Sequence, residues 1–389
     1  MTGPSPALAV TRIRLAAFRS YAAGEVAPGG QSVALYGPNG SGKTNLVEAV
    51  SLFVPGRGLR RAEPGALARG GPAGRIGWRV RAEIATPEGS VEAVTGADGE
   101  DTRRTVEIDG KSAPQTRLGA LMRMVWLTPA MDRLWAEAAG ERRRFLDRMA
   151  MGFFPAHADT ALAYEKAMRA RNRLLKEGPA DPVWLGALER QMAEAGARIA
   201  RVRVEALAAI REAVTDAETV FPRPELAIEG QAETRLADDL SEGAEMDAAE
   251  AREAATLRGD LEAGRVQDAA AGRTLSGPHR SDLEAVFADK GMPARLCSTG
   301  EQKALLISVV LANARALASR TGWAPVLLLD EVAAHLDADR RAALYGESGA
   351  LGAQAWMTGT GPELFDGLSG DALRLAVSEG PDGSRLAPA

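Results

Sequence analysis

Gly37-Pro38-Asn39-Gly40-Ser41-Gly42-Lys43-Thr44 is the stretch that decides the fold. It fits G-x-x-x-x-G-K-[ST], follows a buried strand read at Ser32 to Tyr36, and opens a helix read from about Gly42 to Leu52. In that context the glycines turn backbone N–H groups toward α and β phosphates, and the helix N-terminus adds positive partial charge. Lys43 reaches the β and γ phosphates and Thr44 offers its hydroxyl to Mg2+. Gly37, Pro38, Asn39, Gly40, Ser41, Gly42, Lys43 and Thr44 are therefore the candidate ATP-binding residues, on an α/β sheet.

Far downstream, Pro325-Val326-Leu327-Leu328-Leu329-Asp330-Glu331 reads as a central parallel strand, apolar on both faces and ending in two acids. Open α/β sheets bind ligands at the carboxyl ends of their strands, so Asp330 is placed to hold Mg2+ together with Thr44. Glu331 is then the candidate catalytic base that polarises the attacking water. Between the two motifs, Cys297-Ser298-Thr299-Gly300-Glu301 precedes an apolar helix read from about Lys303 to Ala318. Ser and Gly before a helix are ordinary capping chemistry. In this order of motifs the stretch resembles the ABC signature, in which Ser298 and Gly300 present donors to the γ-phosphate bound by a second subunit. Cys297 reads as a small packing residue, with no histidine beside it to make a nucleophile.

Working outward, short β segments at about Ala7 to Leu15 and Ser20 to Val26 precede the first motif. After irregular chain from Pro55 to Gly77, strands at Trp78 to Ile84, Ser90 to Val94 and Arg103 to Ile108 predict an antiparallel β layer. The character changes near Gly140. Leu185, Leu188, Met192, Ala195, Ile199, Val202, Ala206 and Ala209 alternate by three and four, a heptad seam on one long helix. A second helical stretch, Thr160 to Lys176, lies across a break at Gly178-Pro179-Ala180-Asp181-Pro182. Both a helical hairpin or arm and a compact helical subdomain fit this pattern. The expected division is a head of residues 1–140 and 273–389 and a helical arm or lid of 141–272.

With 389 residues, 46% of them hydrophobic, the chain has material for two domains. One cysteine excludes an internal disulfide, and three histidines with it leave no zinc-spaced cluster. The longest apolar run, Ala304 to Ala312, is short of the roughly 20 residues of a membrane span, and Met1 to Val10 shows no signal-peptide pattern. A cytoplasmic protein with no membrane partner is expected. A net charge of −5 argues against coating nucleic acid by bulk electrostatics. The first eighty residues are locally basic all the same: Arg12, Arg14, Arg19, Lys43, Arg57, Arg60, Arg61, Arg69, Arg75 and Arg79 oppose only Glu25, Glu48 and Glu63. Asp238, Asp239, Glu242, Glu245, Asp247 and Glu250 form an acidic run that reads as a solvated face.

Several further segments resemble the RecF family of ABC-type ATPases. Arg19-Ser20-Tyr21 is similar to the family's FRNY-like stretch, and Thr44-Asn45-Leu46-Val47-Glu48-Ala49 to its extension of the P-loop. Arg142-Arg143-Arg144-Phe145-Leu146-Asp147 looks like its RRxFLD segment and Arg171-Asn172-Arg173-Leu174-Leu175 like its RN-containing helix. Gly277-Pro278-His279-Arg280-Ser281-Asp282-Leu283 is similar to its GPHRxDL segment. Departures stand at Trp126-Leu127-Thr128-Pro129-Ala130-Met131-Asp132, where the family is more acidic, at the signature CSTGE, which lacks a glutamine, and at His335-Leu336-Asp337, the D-loop position. No switch histidine is present, and Thr358 takes the place of the γ-phosphate sensor.

The resemblance implies an ABC-type head, a P-loop parallel core plus an antiparallel β layer, with an inserted α-helical arm. It implies weak, DNA-stimulated ATP hydrolysis with Mg2+ at a composite interface of an ATP-dependent homodimer. It implies work in replication and in repair of DNA damage, including the SOS response, by helping load recombinase at gaps or ssDNA–dsDNA junctions with RecO and RecR. Arg57, Arg60 and Arg61 are the candidate contacts to DNA phosphates, with Arg142 to Arg144 a second cluster. Another SMC-like head would need hundreds of residues of heptads. The ATP-binding subunit of a membrane transporter would lack the large insertion and usually carry a switch histidine. A nucleotide-binding scaffold would not need Glu331.

Overall fold

The computed structural model describes residues 8–70, 77–99, 103–178, 181–333 and 336–388. Expectations that fall on Met1 to Ala7, Arg75, Pro179, Ala180 and His335 lie outside those residues. The chain begins with β1 (Ala9–Phe18), β2 (Tyr21–Val26), β3 (Val33–Tyr36) and helix α1 (Lys43–Ser51). Strands β4 (Trp78–Thr86), β5 (Gly89–Ala97), β6 (Thr105–Ile108) and β7 (Lys111–Ser112) follow, then α2 (Leu118–Leu121) and β8 (Met124–Leu127). Next come α3 (Ala139–Phe153), α4 (His157–Glu177), α5 (Pro182–Thr215), β9 (Pro224–Glu229), α6 (Gln231–Ser241), α7 (Met246–Ala263) and α8 (Arg265–Ala271). The last third holds β10 (Asp282–Phe287), β11 (Met292–Pro293), α9 (Thr299–Thr321), β12 (Val326–Leu329), α10 (Ala338–Ala350), β13 (Ala355–Gly359), β14 (Leu373–Gly380) and β15 (Gly383–Pro388). Two compact units emerge, one of Met1–Asp132, Asp216–Phe221 and Leu306–Ala389, the other of Arg133–Thr215 and Pro222–Leu305. The second takes in Cys297 to Glu301, which the sequence division gave to the head.

The first unit is mixed α/β around a 12-stranded sheet, ordered β7-β6-β5-β4-β1-β2-β15-β14-β3-β13-β12-β8. Strands β14, β3, β13, β12 and β8 run parallel. Every residue of β12 is buried, as a strand covered on both faces requires. The other end is antiparallel, and β4 alternates Trp78, Val80, Ala82 inward with Arg79 and Arg81 outward. The hairpin β14–β15 was not anticipated. Its Pro381-Asp382 turn is a legible hairpin signal. Among the described residues β15 meets β2 at Gly383 opposite Tyr21, and through that pairing the hairpin joins the antiparallel layer to the parallel core. On the sheet, α1 buries Leu46, Val47 and Val50 completely. Cutting Leu46 to Ala would cost about 2–5 kcal/mol. Helix α9 is long and apolar enough by composition to cross a membrane, but 72% of that window is buried inside the protein.

In the second unit the heptad seam is real but is one face among several. Leu185, Met192, Ala195, Ile199, Val202 and Ala206 are buried on α5, and so are Ala193, Gly196, Ala197, Ala200, Arg203 and Leu207. Helices α4, α6 and α7 all pack on α5. A Cβ at Gly196 would run into Leu257 of α7 and crowd Tyr164 of α4, so the glycine permits a three-helix crossing. A separate three-stranded sheet, β11-β10-β9, belongs to this unit.

Candidate functional site

The loop from Gly37 to Gly42 is shaped by backbone that only glycine adopts without strain. Gly37, Gly40 and Gly42 have φ of 148°, 82° and 107°. A Cβ at Gly37 would strike the carbonyl oxygen of Val377 on β14, and one at Gly42 the hydroxyl of Ser384 on β15. Helix α1 then starts without a side-chain cap and without an acid in its first turn, which leaves its amides and partial positive charge to an external anion. Lys43 Nζ lies 2.7 Å from the Gly37 carbonyl oxygen and 2.8 Å from that of Pro38. Burial pulls its pKa below the usual lysine value, opposed by the charges of Glu331 and Asp330. Ser41 Oγ is buried and, among the described residues, has no hydrogen-bond partner. An orphaned donor, uncapped amides and a buried ammonium are what a polyphosphate needs.

Thr44, Asp330, Glu331 and Thr358 come together although two of them lie about 290 residues apart in the chain. Thr44 Oγ1 and Thr358 Oγ1 both donate to Asp330 Oδ1, each at 2.8 Å. The same Thr358 oxygen accepts the Glu331 N–H at 2.8 Å. Glu331 is held at φ 54°, a left-handed conformation uncommon outside glycine. It thus breaks away from the strand that Asp330 closes. Burial pushes the Asp330 carboxyl up, against the hydrogen bonds from Thr358 and Thr44. A hard cation at that oxygen would favour the ionised form. Thr44 and Asp330 are suitable oxygen ligands for Mg2+, which takes few protein ligands and keeps water and phosphate oxygens as the rest. Thr358, read as a phosphate sensor, spends its hydroxyl on holding the acid pair.

Around this centre lies a clasp that the sequence did not reveal. Ser20 Oγ accepts from Asn45 Nδ2 at 2.7 Å and from Ser384 Oγ at 2.6 Å, while Tyr21 Oη donates to the Gly42 carbonyl at 3.1 Å. Arg19 grips the fully buried Glu48 carboxylate through two 2.8 Å bonds. Thus the Arg19-Ser20-Tyr21 turn and the C-terminal strand hold the loop from behind.

The signature segment is exposed at Ser298 and Gly300. Ser298 donates from its N–H and Oγ to Glu301 Oε2, both at 2.8 Å, a reciprocal cap on α9. Glu301 also pairs with Lys290, and these contacts hold its carboxyl down to about 2. Gly300 has neither a positive φ nor a neighbour that a Cβ would meet. Nothing among the described residues requires a glycine there. Cys297 is buried, and burial raises its thiol pKa, as expected of a packing residue.

The arginines placed on DNA are already engaged within the chain. Arg57 pairs with Glu63 at 2.6 Å, and Arg60 donates to Asn45 Oδ1 at 2.9 Å and lies 3.8 Å from Glu48. Arg61 sits at φ 57°. In the other cluster Arg142 is turned inward onto Asp282 through bonds of 2.8 and 2.6 Å, Arg143 donates to the Ser281 carbonyl at 2.7 Å, and Arg144 pairs with Glu141. Asp132, at the Q-loop position, lies in a 3-10 turn after β8 at the same sheet end as Asp330.

Comparison with known proteins agrees with this geometry. The RecF/RecN/SMC N terminal domain family matches residues 9–348. The DNA replication and repair protein RecF of Brucella suis biovar 1 (strain 1330) is 47% identical over 377 residues, spanning 96% of this chain and 95% of the relative. The protein of that name from Caulobacter sp. (strain K31) is 48% identical over 388 residues, spanning 95% and 97%. Among solved structures, the recombination mediator protein RecF-ATP in the RecFOR pathway superposes with a TM-score of 0.81 at 22% identity over 100% of both chains. The Smc head domain of Pyrococcus furiosus, with an extended coiled coil and bound to the C-terminal domain of ScpA, gives 0.54 at 16% identity over 98% of this chain and 96% of that one. Both show a shared ATPase-head fold.

Proposed function

Because the chain belongs to the RecF family, we propose that it is a DNA-repair ATPase whose nucleotide cycle governs its grip on DNA. The observation that carries this reading is the convergence of Thr44, Asp330, Glu331 and Thr358 beside the loop Gly37 to Thr44. ATP is bound by the amides of that loop and by Lys43. Thr44 and Asp330 would hold Mg2+, which would supply positive charge beside the terminal phosphates of ATP. Glu331 orients and deprotonates the attacking water, and Thr358 fixes the position of both acids. Ser298 and Gly300 complete the site from a second copy of the chain, so that hydrolysis is slow and belongs to an ATP-dependent dimer. Gly300, which nothing among the described residues of its own chain explains, supports that assignment.

DNA is the substrate surface in this reading, gripped through its backbone near gaps or ssDNA–dsDNA junctions, with Arg57, Arg60 and Arg61 as contacts once their internal partners are exchanged. A solved relative described as a recombination mediator in the RecFOR pathway supports recombinase loading with RecO and RecR. Cytoplasmic action follows from that role.

A mixing experiment tests the composite site. Chains carrying Lys43→Ala lack the phosphate grip, and chains carrying Ser298→Arg lack a usable signature face. Each alone should be inactive. Mixed, they form heterodimers with one intact site, and ATP turnover should reappear as a fraction of the parent rate. No recovery from two folded, soluble variants would argue that each site is complete within one chain.

A further inference from the structure

Gly277-Pro278-His279-Arg280-Ser281 is held at almost every polar atom. Gly277 has φ 125°, and a Cβ there would collide with the Tyr164 hydroxyl. The Pro278 carbonyl accepts from Arg203 at 2.7 Å. His279 is tied through Nδ1 to Tyr164 Oη at 2.7 Å and through Nε2 to the Thr274 carbonyl at 3.0 Å. Ser281 donates its hydroxyl to the buried Glu233 at 2.7 Å and accepts from Arg143 at its carbonyl. Arg280 closes the turn with an N–H to Gly277 O bond of 3.0 Å. Its side chain is the exception: it is exposed and, among the described residues, makes no hydrogen bond or ion pair. A rigid turn thus presents a single guanidinium to the exterior.

Three neighbouring arginines are engaged, Arg142 on Asp282, Arg143 on Ser281 and Arg203 on Asp147 and Glu233. Arg280 adds a like charge that both Arg143 and His279 feel, each already disfavoured in its charged form by burial. An anion bound at Arg280 would relieve that repulsion. Guanidinium is the side chain best suited to two phosphate oxygens at once.

We propose that Arg280 is a contact for the phosphate backbone of nucleic acid, carried on the second unit rather than on the basic head. The proposal rests on reading the chain as a DNA-binding ATPase. The phosphate of a nucleotide is the competing anion, and the DNA-free turnover of an Arg280 variant distinguishes the two.

The test is fluorescence anisotropy of labelled gapped DNA with the full chain, ATP and Mg2+, over a range of KCl, comparing the parent with Arg280→Ala and Arg280→Lys. Arg280→Ala should bind about tenfold more weakly on unrelated sequences, with a log affinity against log salt slope shallower by about one per chain. Arg280→Lys should fall between. ATP turnover without DNA and ATP-dependent self-association should match the parent. Unchanged affinity and slope in Arg280→Ala would overturn the proposal, as would lost DNA-free turnover with DNA binding intact, which would put Arg280 at a nucleotide. A parent that binds no DNA in any nucleotide state would remove the DNA reading and this proposal together, whereas parent binding that survives the substitution removes only the proposal.

Discussion

At the scale of single residues the site was legible where its chemistry is local. Eight consecutive residues named the loop, and an apolar run closing in Asp330-Glu331 named the acids. Thr358 was found by its place after a strand, but its use was not: its hydroxyl bridges Asp330 and the Glu331 backbone. Ser384 was missed altogether, because a hydrogen bond to Ser20 across 364 positions leaves no periodic trace in a sequence. Glu331 carries the sharpest residue-level prediction. Glu331→Gln keeps Lys43, Thr44 and Asp330 and should bind ATP as the parent does, while turnover falls by about 10^2 to 10^4-fold. Dimers should accumulate with ATP. Steady-state hydrolysis at the parent rate would remove Glu331 from the chemistry.

Among elements, α5 shows what a heptad reading can and cannot say. The spacing located a long helix and one buried face correctly, but Arg203 and Ala200 lie outside the seam and are buried too. Periodicity reports the strongest stripe, and a helix packed against α3, α4, α6 and α7 has more than one. Charged residues buried there had no signature either. Arg203 binds Asp147 through bonds of 2.8 and 3.0 Å and Glu233 at 2.7 Å, while His157 lies 3.0 Å from Asp147. Burial alone would push the Asp147 carboxyl up, and the Arg203 charge and the His157 and Arg203 hydrogen bonds outweigh it, holding the group well below the usual carboxylate range. A depressed native pKa stabilises the fold above the unfolded value of about 3.9, and that contribution is lost as pH falls from there toward the native value. Urea midpoints of the helical unit, followed from pH 7 to pH 3, should drop below about pH 4. Asp147→Asn should lower the midpoint at pH 7 and flatten the acid limb. An equally steep acid limb in that variant would assign the acid sensitivity to other carboxylates.

For the whole molecule, fold class was recoverable because strand and helix patterns segregate along the chain, whereas a linear charge count does not show which charges are paired. The basic head looked like a phosphate surface in the sequence, yet Arg12 and Arg14 pair with Glu25 across β1 and β2, and Arg81 with Glu92 across β4 and β5. Cross-strand neighbours neutralise what a linear count adds up. A linear count of basic residues therefore overstates the charge free for phosphate, and a DNA contact at such a stretch needs guanidinium groups that are unpaired or can exchange their partners.

In the proposed cycle ATP binding and DNA binding are coupled, and reciprocity requires that a nucleotide which tightens DNA be tightened by it to the same degree. The direct measurement is DNA affinity of the Glu331→Gln chain on gapped, duplex and single-stranded DNA, with ATP and Mg2+ and without nucleotide, at several salt concentrations. Binding should be at least about tenfold tighter with ATP, indifferent to sequence and steeply weakened by salt, with gapped DNA preferred. Equal affinity with and without ATP on all three substrates would rule the coupling out.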